Sequence, residues 1–156
     1  MKKWLPYLLI LIAVSLLGYG GFGGEDLGKL YPVQTLMLSA DQEGVRLLTD
    51  GGQQGKGMDA LSALEDLKAT AAAQVFLDTA DYLLLEPGVE CYLPQLQQFL
   101  RPGCNVCYVS GPVQLQEVSG FLEHHPPVLT LTQYAAGEGH LPTLIYNEGR
   151  MSLVRS

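Results

Sequence analysis

A glycine-rich segment with one lysine is the first part of the sequence whose residue types suit ligand binding. It spans residues 49–64, reads TDGGQQGKGMDALSAL, and stands directly before side chains with helical spacing. The N terminus of a helix binds anions because its first N–H groups are unpaired and carry partial positive charge. We therefore take Gly55, Lys56 and Gly57 as the candidate residues of a small-molecule or anion site in the loop 51–57.

Two common phosphate-binding motifs fit this segment poorly. A Walker loop built on Gly55 and Lys56 would need glycine at position 50 and a hydroxyl at position 57, where the chain has Asp50 and Gly57. The glycine spacing also matches the dinucleotide fingerprint G-x-G-x-x-G/A, but that match alone has low specificity. The simpler interpretation is a turn that leads into a helix, with Asp59 close to the unpaired N–H groups.

The three cysteines could provide redox or metal chemistry. Cys104 and Cys107 form a C-x-x-C pair, but a redox pair normally lies at a helix N terminus and this one leads into a strand-like run. A zinc site would need two more ligands, and only His124 and His125 are near in sequence. We keep Cys104 and Cys107 as a candidate thiol pair beside the simpler interpretation of unreactive thiols. The redox state of Cys91 stays open as well, because three cysteines cannot all pair within one chain.

Catalytic patterns are missing from the sequence. The adjacent His124 and His125 lie at the end of a predicted helix, where histidines are usually solvated, and His140 lies in a glycine-containing loop. The G-x-S-x-G motif of serine hydrolases does not occur. The neighbouring acids Glu65 and Asp66 point in different directions from a helix. We expect a non-enzymatic protein with no catalytic residue, cofactor or metal ligand.

The overall charge excludes one class of partner. The 156 residues carry a formal net charge of −7, and no run of lysine or arginine occurs. A basic face is the usual electrostatic signature of a nucleic-acid-binding protein, so we expect no nucleic-acid partner. The length suits one domain of ordinary size and a short additional segment.

The first 24 residues form that additional segment. Lys2 and Lys3 precede an uncharged apolar run, and small residues follow it. A run of 13 residues from Leu5 to Leu17 has the layout of a signal peptide, whereas a run extended to about residue 22 could just span a bilayer. We expect residues 1–24 to be a signal peptide or a membrane anchor, with cleavage left open. Both interpretations place residues 25–156 outside the cytoplasm as a single domain.

Hydrophobic periodicity divides that domain into alternating strands and helices. Strands are predicted at 31–40, 44–49, 74–78, 81–86 and 105–110, and the chain closes with a hairpin that turns at Asn147-Glu148-Gly149. Helices are predicted from residue 58 to 71, from 89 to 100 and from 112 to 125, whereas 128–140 is ambiguous between strand and helix. This order predicts an α/β (α+β) fold with a mixed, largely antiparallel sheet covered by about three or four helices.

The order of these segments resembles a known family. The first hairpin of that family resembles YPVQTLMLSADQEGVRLLT, and the family's glycine loop and helix resemble GQQGKGMDALSALEDL. Its paired strands resemble VFLDTADYLLLE, and the helix and strand that follow them resemble LPQLQQFLRPGCNVCYVSG. The family is the Ger(x)C family, the C-subunit of spore germinant receptors, and the resemblance covers residues 25–156 as its N-terminal domain. The resemblance implies that the chain is a truncated member of that family. The chain has Tyr19 at the position of the family's acylated cysteine.

This resemblance implies a function as well as a fold. It implies a membrane-anchored, extracytoplasmic scaffold or accessory component of a spore germination complex, at the cell membrane or the inner spore membrane. The implied partners are the membrane and other germinant-receptor subunits, which are integral membrane proteins. The alternative function remains an extracytoplasmic small-molecule or anion-binding module that uses the loop 51–57. The germinant, the partner subunits and the oligomeric state stay open.

Overall fold

The computed structural model describes residues 30–147 and 149–154. The predicted signal peptide or anchor at residues 1–24 lies outside them. Among the described helices, none has both the length and the apolar character that crossing a membrane requires.

Nine strands occur in the described residues, and seven of them form one sheet. They are β1 (Leu30–Pro32), β2 (Thr35–Asp41), β3 (Gly44–Thr49), β4 (Gln54–Gly57), β5 (Gln74–Phe76), β6 (Tyr82–Leu85), β7 (Asn105–Ser110), β8 (Thr143–Asn147) and β9 (Arg150–Val154). The large sheet has the order β4-β3-β2-β6-β7-β8-β9, and β1 pairs with β5 in a separate two-stranded sheet.

The large sheet is mixed. Strands β2, β6, β7 and β8 are parallel neighbours at its centre. Strands β3 and β4 extend it by antiparallel pairing on one side, and β9 does so on the other. The central strand β6 is buried along its whole length, as is typical of a parallel strand with both faces covered.

Four helices in the described part of the chain cover the two faces of this sheet. They are α1 (Ala60–Thr70), α2 (Leu93–Leu96), α3 (Leu115–His124) and α4 (Leu131–Ala135), and a 3₁₀ turn (Glu90–Tyr92) precedes α2. The buried side chains of α1, α2 and α4 join one hydrophobic core, whereas those of α3 join a second core on the opposite face. The α/β class predicted from the sequence, a mixed sheet covered by helices, is confirmed.

Most of the predicted elements occur, but the predicted strand 31–40 is divided into β1 and β2, and three further segments differ. The first hairpin, the helix after residue 58, the strand 105–110, the helix within 112–125 and the closing hairpin are confirmed. The predicted helix 89–100 is reduced to the 3₁₀ turn, α2 and further turns. Tight turns space buried side chains nearly as a helix does, so Leu93, Leu96 and Leu100 still reach the core. The ambiguous segment 128–140 forms the short helix α4, and Gln54–Gly57 forms the unpredicted strand β4.

Candidate functional site

The glycine-rich segment is the edge of the sheet, where a helix lies directly against a strand. Gly55 and Gly57 belong to β4, and α1 packs over that strand. A Cβ atom at Gly55 would overlap the carbonyl oxygen of Ala63 and the backbone of Leu67. A Cβ atom at Gly57 would overlap Ser62 and the backbone nitrogen of Ala63. The two glycines are therefore needed for close approach of α1 to β4, since any side chain would separate them.

The N terminus of α1 is occupied by side chains of the protein itself. Ser62 N–H donates to Asp59 Oδ1 at 2.8 Å, and Asp59 N–H donates to Ser62 Oγ at 3.1 Å, which makes a reciprocal cap. Ala60 N–H donates to Gln95 Oε1 at 3.0 Å. The hydrogen bond from the Ser62 N–H, followed by that from its hydroxyl, lowers the pKa of the Asp59 carboxyl below its ordinary value. An anion at this terminus would therefore have to displace a carboxylate.

Lys56 is held by an ion pair with the end of β2. Its Nζ lies 2.9 Å from Asp41 Oδ2, while Arg46 Nη2 lies 3.2 Å from Asp41 Oδ1. The contact with Lys56, then the Gln42 N–H and then Arg46 lower the pKa of Asp41 to about 2. Asp41 is thus ionised at neutral pH and compensates much of the charge of the lysine.

A shallow groove surrounds this ion pair. It encloses about 610 Å³ between the β2–β3 turn and the connection from β4 to α1. Its lining comprises Asp41, Gln42, Glu43, Gly44, Val45, Lys56, Gly57 and Met58. Met58 is 82% exposed, and Leu61 on the first turn of α1 is also exposed. The groove therefore combines an exposed flexible apolar side chain with charges of both signs, a composition that suits a protein partner.

Open α/β sheets usually bind ligands in a crevice at one edge of the sheet, and in this protein a side chain bridges the two strands at that position. Such ligands lie beyond the carboxyl ends of parallel strands, at the point where the strand order reverses. In this sheet that point is between β2 and β6, because the chain goes outward to β3 and β4 and then returns to β6. Glu86, directly after β6, accepts a hydrogen bond from Ala40 N–H through Oε2 at 3.0 Å. Its carboxylate therefore bridges the ends of β2 and β6.

The two cysteines of the candidate thiol pair lie apart. Cys104 is buried in the core under α1 and α2, and Cys107 is buried in the core under α3, on the opposite face of the sheet. Both are free thiols, and burial raises the pKa of each to about 12. They are consequently protonated and poorly nucleophilic. Cys91 is free and exposed.

His124 and His125 lie at the end of a helix, as the sequence predicts. His124 and His125 are exposed at the C-terminal end of α3, where their Nδ1 atoms lie 3.0 and 3.3 Å from the carbonyl oxygens of Gly120 and Phe121. The ring of His125 stacks on Phe121 with 4.6 Å between centroids. Within the described residues, no three side chains of histidine, cysteine, aspartate or glutamate form a metal-binding cluster.

Sequence reasoning missed the ion pairs beside Lys56, in which Asp41 of the groove lining contacts both Lys56 and Arg46. In the sequence, Asp41 and Arg46 have the pattern of ordinary polar residues of a hairpin. The strand register of the folded protein shows that Arg46 lies beside Lys56. The sequence also predicts a helix that begins at Met58, whereas Met58 precedes α1 and is exposed. Comparison of the chain with protein-family models, curated proteins and solved structures finds no match.

Proposed function

We propose that this protein is a non-enzymatic scaffold or accessory component of a spore germination complex, anchored to the membrane on its extracytoplasmic side. The germination context rests on the resemblance of residues 25–156 to the Ger(x)C N-terminal domain. In this proposal, the groove beside Lys56 binds a segment of another receptor subunit, an integral membrane protein.

The observation that carries this proposal is the exposure of Met58 beside a compensated ion pair. Methionine adapts its shape to an apolar partner side chain, and 82% of its surface is available here. The surrounding Glu43 and Lys56 supply charges of opposite sign at the rim. A recognition site with an apolar contact and a polar rim has the usual anatomy of a protein interface.

Thiol labelling tests the extracytoplasmic location. Cys91 is the exposed cysteine, while Cys104 and Cys107 are buried with raised pKa values. A membrane-impermeant maleimide should therefore label one thiol per chain in intact cells, and Cys91→Ser should remove that labelling. For protein at the cell membrane, labelling that appears only after lysis would show that the domain faces the cytoplasm.

A crosslinking experiment tests the groove. A photo-crosslinking residue at Met58 should capture an integral membrane protein in membranes of sporulating cells. The matched control is the same residue at Val128, which is 65% exposed and remote from the groove lining. Met58→Asp should slow nutrient-induced germination more than Val128→Asp does. Equal capture at both positions, or an unaffected germination rate, would contradict the proposal.

The alternative function, an anion or small-molecule site at 51–57, predicts a different result. Phosphate or nucleotides would then raise the melting temperature of the purified full-length chain, and Lys56→Ala would abolish that shift. Under the scaffold proposal, Lys56→Ala leaves folding nearly intact, because Arg46 still pairs with Asp41. Turnover of a substrate by the purified chain would overturn the scaffold proposal itself.

A further inference from the structure

The two edges of the large sheet differ in whether another strand can join them. At the β4 edge, α1 supplies the missing hydrogen bonds. Lys56 N–H donates to Asp66 Oδ2 at 2.9 Å, and the Thr70 hydroxyl lies 3.4 Å from the carbonyl oxygen of Gln54. Because α1 already occupies these outward groups, this edge is protected against further pairing.

The β9 edge has no such cover among the described strands. Strand β9 is last in the sheet order, and its pairing runs from Asn147 opposite Arg150 to Thr143 opposite Val154. In a hairpin of this register, the pair that closes the turn is hydrogen-bonded and the pairs then alternate. The N–H and C=O groups of Met151 and Leu153 therefore point outward and are available to another strand.

The side chains of β9 are self-complementary in one arrangement. Consider a second copy whose β9 pairs antiparallel with the first so that the two Ser152 residues lie opposite each other. Met151 of each copy then lies opposite Leu153 of the other copy. Both residues are half-buried beside the core under α3, so the pairing extends an apolar surface that already exists. Val154, which is 47% exposed, lies opposite Arg150 of the second copy, whose methylene groups can cover it.

Within the five residues of β9, charge favours this antiparallel arrangement over a parallel one. Arg150 is the charged residue of β9, and β9 contains no acid to compensate it. Parallel pairing in register would bring the two Arg150 side chains together. In the antiparallel arrangement they are four residues apart along the strand, or ~14 Å, which exceeds the screening length of ~8 Å at physiological ionic strength.

We propose that the protein forms a two-fold symmetric dimer in which β9 strands of two copies pair antiparallel about Ser152 and join their sheets. An isologous contact of this kind closes on itself, so it makes a dimer and leaves no free β9 edge. The groove beside Lys56 lies at the other edge of the sheet and remains accessible in the dimer. This inference is independent of the proposed function, since it uses no residue of the groove.

Disulfide crosslinking of the full-length chain tests the dimer. Ser152→Cys is introduced with Cys91→Ser, which removes the exposed native thiol. Because Ser152 sits on the two-fold axis, mild oxidation should convert most of the protein into a covalent dimer. The matched control is Gln54→Cys in the same Cys91→Ser background. Gln54 is exposed on the protected edge, so that variant should stay monomeric.

A second variant separates strand pairing from random collision. Met151→Pro removes an outward N–H while keeping the hydrogen bonds to β8, so adding it to the Ser152→Cys protein should reduce disulfide crosslinking at least tenfold. Circular dichroism checks that this variant remains folded. Crosslinking that is equal for Ser152→Cys and Gln54→Cys, absent for both, or unchanged by Met151→Pro would overturn the dimer. Capture of a partner at Met58 is measured separately and would be unaffected by that outcome.

Discussion

At the scale of single residues, the charges around the groove compensate one another. Asp41 accepts from two cations, so Lys56 is not an unpaired ammonium that waits for an anion. The pairing follows from strand register, because Arg46 and Lys56 lie opposite each other on β3 and β4 while Asp41 ends the adjacent strand. Lys56, which follows Gly55, therefore has Asp41 as its structural partner.

The ion pairs of Asp41 predict a specific pH dependence. Its folded-state pKa of about 2 lies below the ordinary value of 3.8, so its contribution to stability is fully present above 3.8 and is lost as the pH falls to about 2. We expect Asp41→Asn to lower the urea midpoint at pH 7 and to flatten the decrease of the midpoint between pH 4 and pH 2. Urea titrations of both proteins across this range measure the difference. Parallel pH profiles for the two proteins would show that the ion pairs contribute nothing.

At the scale of elements, the contact between α1 and β4 explains the glycines. The helix is fixed by its reciprocal cap at Asp59 and by the buried side chains of Ala63, Leu64 and Leu67. The strand beneath it has no side chain at Gly55 or Gly57, so the backbones meet directly. Glycine usually weakens a strand, and its repeated use at this position indicates that the close approach outweighs the entropic cost.

Substitution of these glycines should therefore be costly. We expect Gly55→Ala to destabilise the protein by about 3 kcal/mol, because the added Cβ atom must separate α1 from β4. Gly103→Ala is the matched control, since a Cβ atom there meets nothing within 4 Å, and it should change stability by less than about 0.5 kcal/mol. Equilibrium unfolding in urea measures both. A small effect at Gly55 would mean that this helix–strand contact tolerates a shift.

At the scale of the whole molecule, one sheet separates two hydrophobic cores. Leu83 and Leu84 are neighbours in β6, but Leu83 packs in the core under α1 and α2 and Leu84 packs in the core under α3. The second core also contains two hydrogen bonds that orient α3 on the sheet. Thr35 and Ser119 bond through their hydroxyls at 3.0 Å, and the Tyr82 hydroxyl donates to Leu122 O at 3.1 Å.

Because both cores share the sheet, the domain should unfold as one unit. We expect Leu83→Ala and Leu84→Ala each to cost about 2–5 kcal/mol, as buried leucines usually do. Each variant should retain a single transition, with far-ultraviolet dichroism and tyrosine fluorescence giving the same midpoint. Two separate transitions in either variant would show instead that the cores are independently stable.

The sequence by itself determined the elements whose signal is local. The hairpin of β2 and β3, helix α1, strand β7 and helix α3 follow from apolar side chains at spacings of two or of three to four residues, and such spacing depends only on nearby residues. The solvated histidines at the end of α3 follow from the same local pattern. The α/β class follows from the alternation of these elements along the chain.

The tertiary structure alone decided the features that depend on distant neighbours. Strand β4 has almost no apolar side chains and exists because it pairs with β3 and supports α1. Cys104 and Cys107 are close in sequence, and only the packing of helices on both faces of the sheet shows that they lie in two different cores. The pairing of Lys56 with Asp41, the contact of Glu86 with β2 and the last place of β9 among the described strands all follow from strand order. Long-range packing sets that order, and local periodicity does not encode it.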